Sequence, residues 1–199
     1  MANHLVIYMH PTEDSFNGAL LNSYTKTLEE QGDHVVIRSL SAQNFRSELS
    51  HEEYKDSLNG IFSPDVRKEH EYLLQADYIT FLFPFWWTGF PAVGKGYIDR
   101  VFSYGVAYEL DGEDPIPLLN GKKAVLIITS GTPENEMKEM KIYSNFLELV
   151  DKSIFQFCGL ELIKTVYFGN VIQCGNENRT KMLEEVSKVA KKINECSSD

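Results

Sequence analysis

The sequence predicts a single α/β domain spanning residues 1–199, with a five-stranded parallel sheet covered by helices on both faces. Short apolar runs alternate with longer segments of helical periodicity along the whole chain, which is typical of strand–helix–strand units. No stretch resembles an interdomain linker or an internal repeat. A chain of 199 residues is also within reach of one hydrophobic core.

The first part of the chain predicts two strands with a helix between them. Residues 5–9 form an apolar run that ends at His10 and Pro11, as expected of a buried strand. The helix that follows is predicted to begin at Ser15 as its N-cap and to stop at Gly32. Residues 34–40 supply the second strand. Residues 41–62 are polar and irregular, and their length indicates a functional excursion rather than a plain connector.

The second part predicts three more strands and four helices. Ser63, Pro64 and Asp65 predict a helix start, with a capping hydroxyl, a proline in the first turn and an acid near the positive end of the dipole. That helix runs to about Ala76. Residues 78–83, 124–129 and 160–168 are the remaining strands, and residues 91–102, 143–157 and 182–193 are the remaining helices.

The composition is that of an acidic globular protein. Apolar residues make up 43% and charged residues 24% of the chain, which argues against disorder. The 29 acidic and 19 basic residues give a formal charge of −10 with the histidines neutral. Such a surface repels phosphate backbones, and basic residues cluster only in pairs such as Lys122 and Lys123. We therefore expect no nucleic-acid partner.

We expect a cytoplasmic protein without membrane insertion. No apolar run approaches the ~20 residues that a bilayer requires, and the first residues lack the pattern of a secretion signal. The three cysteines, Cys158, Cys174 and Cys196, are odd in number and show no CxxC spacing. They are predicted to be reduced thiols, and no metal site is predicted.

Ligands of doubly wound sheets bind at the carboxyl ends of the strands, and three segments follow such ends. The first, residues 10–17, lacks the GxGxxG spacing of a dinucleotide turn. It offers hydroxyls, an imidazole and the free N–H groups of a helix start, which suit a phosphate. Glu13 and Asp14 would repel that phosphate unless they point outward. A capped helix without a ligand explains this segment equally well.

The other two segments, residues 84–90 and 129–132, favour a flat ring as the ligand. Trp86 and Trp87 directly follow a buried strand. Tryptophans usually belong to the core, but two adjacent ones cannot point the same way, so one is expected to line a cavity. Residues 129–132 add hydroxyls and a glycine. An aromatic floor with small polar groups suits an isoalloxazine ring.

Four stretches make the chain similar to a known family: residues 10–20 (HPTEDSFNGAL), 84–108 (PFWWTGFPAVGKGYIDRVFSYGVAY), 122–131 (KKAVLIITSG) and 157–159 (FCG). The chain resembles the flavodoxin-like NAD(P)H:quinone oxidoreductases, the DT-diaphorase family, over nearly its whole length. The resemblance implies a flavodoxin-like doubly wound five-stranded parallel sheet of order 2-1-3-4-5. It also implies a homodimer that uses NAD(P)H and a flavin, FAD or FMN, to reduce quinones or similar flat acceptors.

The resemblance assigns cofactor-binding residues to all three segments. His10, Ser15, Phe16, Asn17 and Ala19 match positions that hold the flavin's phosphates and ribityl chain. Pro84, Phe85, Trp86 and Trp87 match the loop under the isoalloxazine, and Thr129, Ser130, Gly131 and Thr132 match the loop at its pyrimidine side.

Further positions bear on the choice of flavin and on the substrate. Asp99 and Arg179 fall where FAD-dependent members contact the adenosine half, which favours FAD over FMN, although both could equally be surface residues. The substrate pocket is assigned to Trp87, Thr88 and Tyr108. Tyr108 matches a ring that covers the pocket of the other subunit in the family dimer.

The chain also departs from the family. A tyrosine and a histidine that assist hydride transfer in animal members are matched here by Glu134 and Met140, so no acid or base is assigned. Tyr143 lies close in sequence and could substitute, with an ordinary core role as the alternative. Gly94 replaces the usual leucine, at a cost of about 1 kcal/mol in helix stability.

The implied reaction is ping-pong. NAD(P)H delivers hydride to flavin N5 and leaves, and the acceptor then takes two electrons at the same face. N–H groups of residues 129–132 would meet the charge that builds near flavin N1 and O2. Three alternatives stay open: a regulatory subunit of a potassium-efflux transporter, a one-electron flavodoxin-like carrier, and a flavin-free structural domain.

Overall fold

The computed structural model describes residues 1–193, which are organised around a five-stranded parallel sheet. The strands of the described residues are β1 (Asn3–Tyr8), β2 (His34–Ser39), β3 (Tyr78–Pro84), β4 (Tyr108–Asp111), β5 (Asp114–Pro117), β6 (Lys123–Thr129) and β7 (Glu161–Phe168). The parallel sheet has the order β2-β1-β3-β6-β7, while β4 and β5 pair as a separate antiparallel hairpin. The predicted order 2-1-3-4-5 of the sheet strands is therefore confirmed.

Helices cover both faces of the sheet. They are α1 (Phe16–Glu30), α2 (His51–Ser57), α3 (Pro64–Gln75), α4 (Ala92–Val101), α5 (Glu134–Glu139), α6 (Ile142–Val150), α7 (Gln156–Cys158) and α8 (Asn176–Lys192). Buried side chains of α1 and α8 pack in one apolar cluster, and those of α3, α4 and α6 pack in the other. The sheet separates the two clusters because successive side chains of a strand point to opposite faces.

Several predicted boundaries are corrected by the structure. The predicted helix over residues 143–157 consists of α6 and α7 joined by a π-helical turn, Asp151–Phe155. The last helix begins at Asn176 rather than at Met182. The hairpin of β4 and β5 was not predicted, although Gly112, the first residue of its two-residue turn, is of the type that favours a hairpin.

Of the two predicted N-cap hydroxyls, Ser15 and Ser63, only the first makes a capping hydrogen bond. The Ser15 hydroxyl accepts a hydrogen bond from the Gly18 N–H at 3.1 Å, so its predicted capping role is confirmed. Ser63 precedes α3 as predicted, but its hydroxyl caps nothing. That hydroxyl donates towards Glu53 at 3.5 Å and accepts from Arg100 at 3.3 Å, because a buried ion pair lies beside it.

The excursion over residues 41–62 is more ordered than its polar sequence predicts. It contains α2, whose N-cap Ser50 accepts from the Glu53 N–H at 3.2 Å. The almost fully buried Arg100 of α4 donates to Glu53 at 2.8 Å and to the Arg46 carbonyl at 2.8 Å. A Cβ at Gly96 would lie 2.1 Å from the Ser47 carbonyl oxygen. Buried polar contacts thus hold residues 41–62 against α4.

Gly94, the departure from the family pattern, has a steric explanation. A Cβ at this position would lie 2.2 Å from the sulfur of Met9, which is fully buried at the end of the first strand. The Met9 side chain therefore fills the space that a leucine at position 94 would need.

Cys158 and Cys174 are buried free thiols, and Cys196 lies outside the described residues. Among the helices of residues 1–193, none is long and apolar enough to cross a membrane. The same residues contain no cluster of three or more His, Cys, Asp or Glu side chains suited to a metal ion.

Candidate active site

The three predicted segments meet at one edge of the sheet because β1, β3 and β6 are adjacent strands. Thr129 joins all three. Its carbonyl accepts from the Phe85 N–H at 2.7 Å, and its hydroxyl donates to the Asn17 side-chain oxygen at 3.0 Å. The rings of His10 and Trp86 also lie near each other, with centroids 5.8 Å apart. The strand ends thus form one continuous surface.

Residues 10–17 form a tightly hydrogen-bonded turn into α1. The Ser15 hydroxyl donates to the Thr12 carbonyl at 3.0 Å, and the Tyr8 hydroxyl donates to the same carbonyl at 2.8 Å. Burial raises the pKa of Tyr8, so this phenol stays protonated as a donor. Gly18 is required here, since a Cβ would lie 1.8 Å from the Glu13 carbonyl oxygen.

This turn leaves backbone donors available for an anion. The N–H groups of Phe16 and Asn17 in the first turn of α1 have no partner inside the helix, and the helix dipole is positive there. A phosphate can bind here only if the carboxylates of Glu13 and Asp14 point outward. Both residues are exposed, so this condition is met.

Trp86 to Gly89 form a left-handed turn after β3. The backbones of Trp87 and Thr88 have φ values of +52° and +61°, and the Gly89 N–H donates to the Trp86 carbonyl at 3.2 Å. For a β-branched residue such as Thr88 this conformation costs on the order of 1–3 kcal/mol. Trp86 is 47% exposed and Trp87 is 99% exposed. The left-handed turn carries both rings to the surface of the single chain, and the expectation that one of them lines a cavity stays a prediction.

The side chain of Phe85, which the resemblance assigns to the loop under the isoalloxazine, belongs to the core. Its ring packs on Phe146, with centroids 4.8 Å apart, and is only 7% exposed. Phe81, Phe83 and Phe85 occupy alternate positions and pack in the same core cluster, which is the signal that the Phe85 ring is buried. Pro84 is also buried, where it pairs with Thr129 in the sheet. Only the backbone of these two residues reaches the site.

The turn after β6 presents backbone groups. The Ser130 N–H donates to the Phe168 carbonyl at 2.9 Å, and the Thr132 N–H donates to the Ser130 hydroxyl at 3.0 Å. Among the described residues, no partner is seen for the Gly131 N–H. This turn therefore offers one free N–H donor, next to the end of β3, the strand that the tryptophans follow.

Two tyrosines lie behind this turn. The Tyr167 hydroxyl lies 3.5 Å from the Thr132 carbonyl, and the rings of Tyr167 and Tyr143 have centroids 4.7 Å apart. Burial, followed by the nearby Glu134 carboxylate, raises the pKa of Tyr143, so its hydroxyl is protonated at neutral pH. Tyr167 was not predicted; its position near the end of the last strand, at the same sheet edge, is the signal that could have found it.

The remaining predicted residues have other partners. Asp99 forms an ion pair with Lys95 at 2.5 Å on the exposed face of α4. Tyr108 packs edge-on against Phe157, with ring centroids 4.8 Å apart. Neither partner belongs to the three turns. Ala19 lies half-buried on α1, and Thr88 is exposed in the tryptophan turn.

Arg179 is near the first segment but is bonded elsewhere. Its guanidinium carbon lies 6.0 Å from the centroid of the Phe16 ring. Its Nη2 group donates to the carbonyls of Val171 and Ile172 at 3.1 and 3.4 Å.

The residues present fit a flavin. A flavin mononucleotide unit needs donors for its phosphate, an apolar surface for its ring and a donor for its pyrimidine edge. The start of α1, the two exposed tryptophans and the Gly131 N–H offer these in turn.

Several known proteins are similar to this chain in sequence or in structure. An uncharacterized NAD(P)H oxidoreductase from Haemophilus influenzae is 37% identical over 183 residues, which cover 92% of this chain and 91% of its own. Human ribosyldihydronicotinamide dehydrogenase (quinone) is 28% identical over 182 residues, covering 80% and 78%. The solved NAD(P)H:quinone oxidoreductase of Methanothermobacter marburgensis superposes with a TM-score of 0.87 at 27% identity and covers 97% of both chains.

These relatives confirm the predicted assignment to the NAD(P)H-dependent oxidoreductases. The family model of the flavodoxin-like fold matches residues 2–193. The chain therefore belongs to the flavodoxin-like family that includes the NAD(P)H:quinone oxidoreductases.

Proposed function

We propose that this protein is a flavin-dependent NAD(P)H:quinone oxidoreductase that transfers two electrons to quinones or similar flat acceptors. The observation that carries the proposal is the meeting of three turns through Thr129, since it places a helix start, two exposed tryptophan rings and a free N–H on one surface. The names of the relatives support the reaction class.

Each turn has a distinct task in this proposal. The N–H groups of Phe16 and Asn17 hold the phosphate, and the ring of Trp86 or Trp87 stacks on the isoalloxazine. When bound, the flavin supplies the hydride chemistry between NAD(P)H and the acceptor. The Gly131 N–H then donates to the oxygen at the pyrimidine edge, where a fixed dipole stabilises negative charge without reorganising.

No acid or base is assigned to the protein. Glu134 lies at the position of the family tyrosine, and its carboxylate pairs with Lys138 at 2.7 Å. Tyr143 stays protonated because burial raises its pKa. It could therefore donate a hydrogen bond but would be a weak acid.

The finer features of the proposal come from the resemblance. We propose FAD as the cofactor with FMN as the alternative, a homodimer whose Tyr108 covers the other subunit's pocket, and a cytoplasmic location. A second subunit would also cover Trp87, whose 99% exposure is unusual for so large an apolar ring. Asp99 and Arg179, on which the preference for FAD depends, both have partners within the chain.

The test is to release the cofactor of the purified protein by heat, identify it by chromatography and assay NADH and NADPH oxidation with a panel of quinones. The proposal expects a bound flavin and parallel lines in double-reciprocal plots, which indicate ping-pong kinetics. A protein that stays colourless with added FAD and FMN would be a structural domain.

Two further results would also contradict the proposal. A bound flavin without steady NAD(P)H oxidation would favour the one-electron carrier. Co-purification with a membrane transporter, again without turnover, would favour the regulatory subunit.

A further inference from the structure

Residues 169–175, which connect β7 to α8, brace the turn over residues 129–132. The Val171 N–H donates to the Ser130 carbonyl at 3.0 Å, and the Asn170 N–H donates to the Thr132 carbonyl at 3.2 Å. A Cβ at Gly169 would lie 2.8 Å from the Thr132 carbonyl oxygen, so the two segments are in direct backbone contact. The position of the 129–132 turn therefore depends on residues 169–175.

Arg179 in turn holds this connection from the start of α8. One guanidinium nitrogen donates to the carbonyls of Val171 and Ile172. The side chain is half-buried, and its Nε is buried without a hydrogen-bond partner in the described residues. Of the guanidinium nitrogens, Nη2 is therefore engaged by the loop carbonyls and Nε is buried within the chain. The same guanidinium rests near the Phe16 ring, which anchors it at the start of α1.

We infer that Arg179 is a positioning residue, which fixes residues 169–175 and through them the 129–132 turn, rather than a contact for the adenosine half of FAD. The inference rests on the proposed function only in that the 129–132 turn binds the flavin ring. It removes one of the two residues that favoured FAD. It also predicts that Arg179 contributes equally to the affinities for FMN and FAD, because the ring that the 129–132 turn binds is common to both.

The first experiment measures binding of FMN and of FAD to the apo-protein by fluorescence quenching, for the wild type and for Arg179→Ala. Hydrogen bonds from a charged group are strong enough that their loss should raise both dissociation constants by about tenfold. Arg179→Lys, which keeps one donor, should fall between the two. Lys181→Ala, which removes a positive charge from an exposed position of the same helix, should leave both constants unchanged.

A second experiment needs no flavin. Hydrogen exchange of the apo-protein should show faster exchange at the Asn170 and Val171 amides in Arg179→Ala, with the amides of β1 and β3 unchanged. Unchanged exchange at both amides would overturn the inference. So would a loss of FAD affinity with FMN affinity preserved, since that pattern marks an adenosine contact. If the wild type binds neither flavin, the proposed function fails, whereas the exchange experiment still decides the role of Arg179.

Discussion

The hydroxyl of Thr129 donates a hydrogen bond to the side-chain oxygen of Asn17 across 112 residues of sequence, at 3.0 Å. Both residues are buried, at 1% and 6% exposure. The bond joins the end of β6 to the first turn of α1, which are the two places proposed to hold opposite ends of the flavin mononucleotide unit. The distance between phosphate donors and pyrimidine donor is therefore set by a direct side-chain contact.

Thr129→Val should destabilise the protein and weaken flavin binding together. The substitution keeps the shape but leaves the Asn17 oxygen buried without its donor, which costs about 1–3 kcal/mol. Thermal unfolding of the apo-protein and flavin titration measure the two effects. Thr80→Val is the matched control, because Thr80 is also fully buried and its hydroxyl bonds Tyr24 at 3.0 Å, away from the site. Equal flavin affinities in the two variants would contradict the bridging role.

Trp87→Ala should reduce flavin content or turnover without lowering the melting temperature. The side chain is 99% exposed, so its removal costs the fold little, whereas a stacking ring contributes about 0.5–1.5 kcal/mol beyond its area. Trp87→Phe keeps a ring and should retain most of the binding. Wild-type flavin content and turnover in Trp87→Ala would rule out this ring as a platform.

Gly94→Leu should destabilise the protein when Met9 is retained, because the new side chain enters space held by the Met9 sulfur. Overpacking of this kind typically costs about 1–3 kcal/mol. Combining Gly94→Leu with Met9→Ala should recover stability relative to either single variant. Urea unfolding of the four proteins measures this coupling, and additive effects would show that the two positions do not compete for space.

The free energy of unfolding should fall as the pH drops below about 6.5, in part because of His70. Burial lowers the pKa of His70 from 6.5, despite a hydrogen bond to the Val101 carbonyl at 3.0 Å. Between the folded pKa of His70 and 6.5, the unfolded chain therefore binds more protons than the folded one. The contribution of His70 to stability is fully present above pH 6.5 and is lost as the pH falls through this window.

His70→Gln should flatten that pH dependence, measured by urea unfolding between pH 5 and 8. His51→Gln, at an exposed position of α2, is the control and should not change it. An unchanged slope in His70→Gln would assign the acid sensitivity to other groups.

The sheet could be predicted because its strands are short apolar runs separated by helices, and this pattern leaves few topologies. The bend of the tryptophan turn could not be predicted, since Trp87 and Thr88 are residue types that rarely adopt positive φ. Local signals were also missed. Ser50 followed three residues later by Glu53 is a capping pattern, and it marks the helix inside the excursion.

The roles of long side chains were the least predictable part of the site. Arg100 is an ordinary helix residue by sequence, yet its side chain is buried against residues of the excursion. Arg179 lies outside the predicted last helix and was assigned to the adenosine half of FAD, yet its side chain bonds two loop carbonyls. Such contacts depend on which loops the fold brings near a helix, and no local pattern encodes that. Tyr167 belongs to the same class, because its hydroxyl becomes relevant only once β7 lies beside β6.

The chain contains two tryptophans, and both stand in the same surface turn. All of the intrinsic indole fluorescence of this protein therefore originates from adjacent positions in the tryptophan turn. A flavin ring that binds there would quench this emission, so a titration could be followed by intrinsic fluorescence without a label. In Trp87→Phe, Trp86 would be left as a single emitter at the same spot.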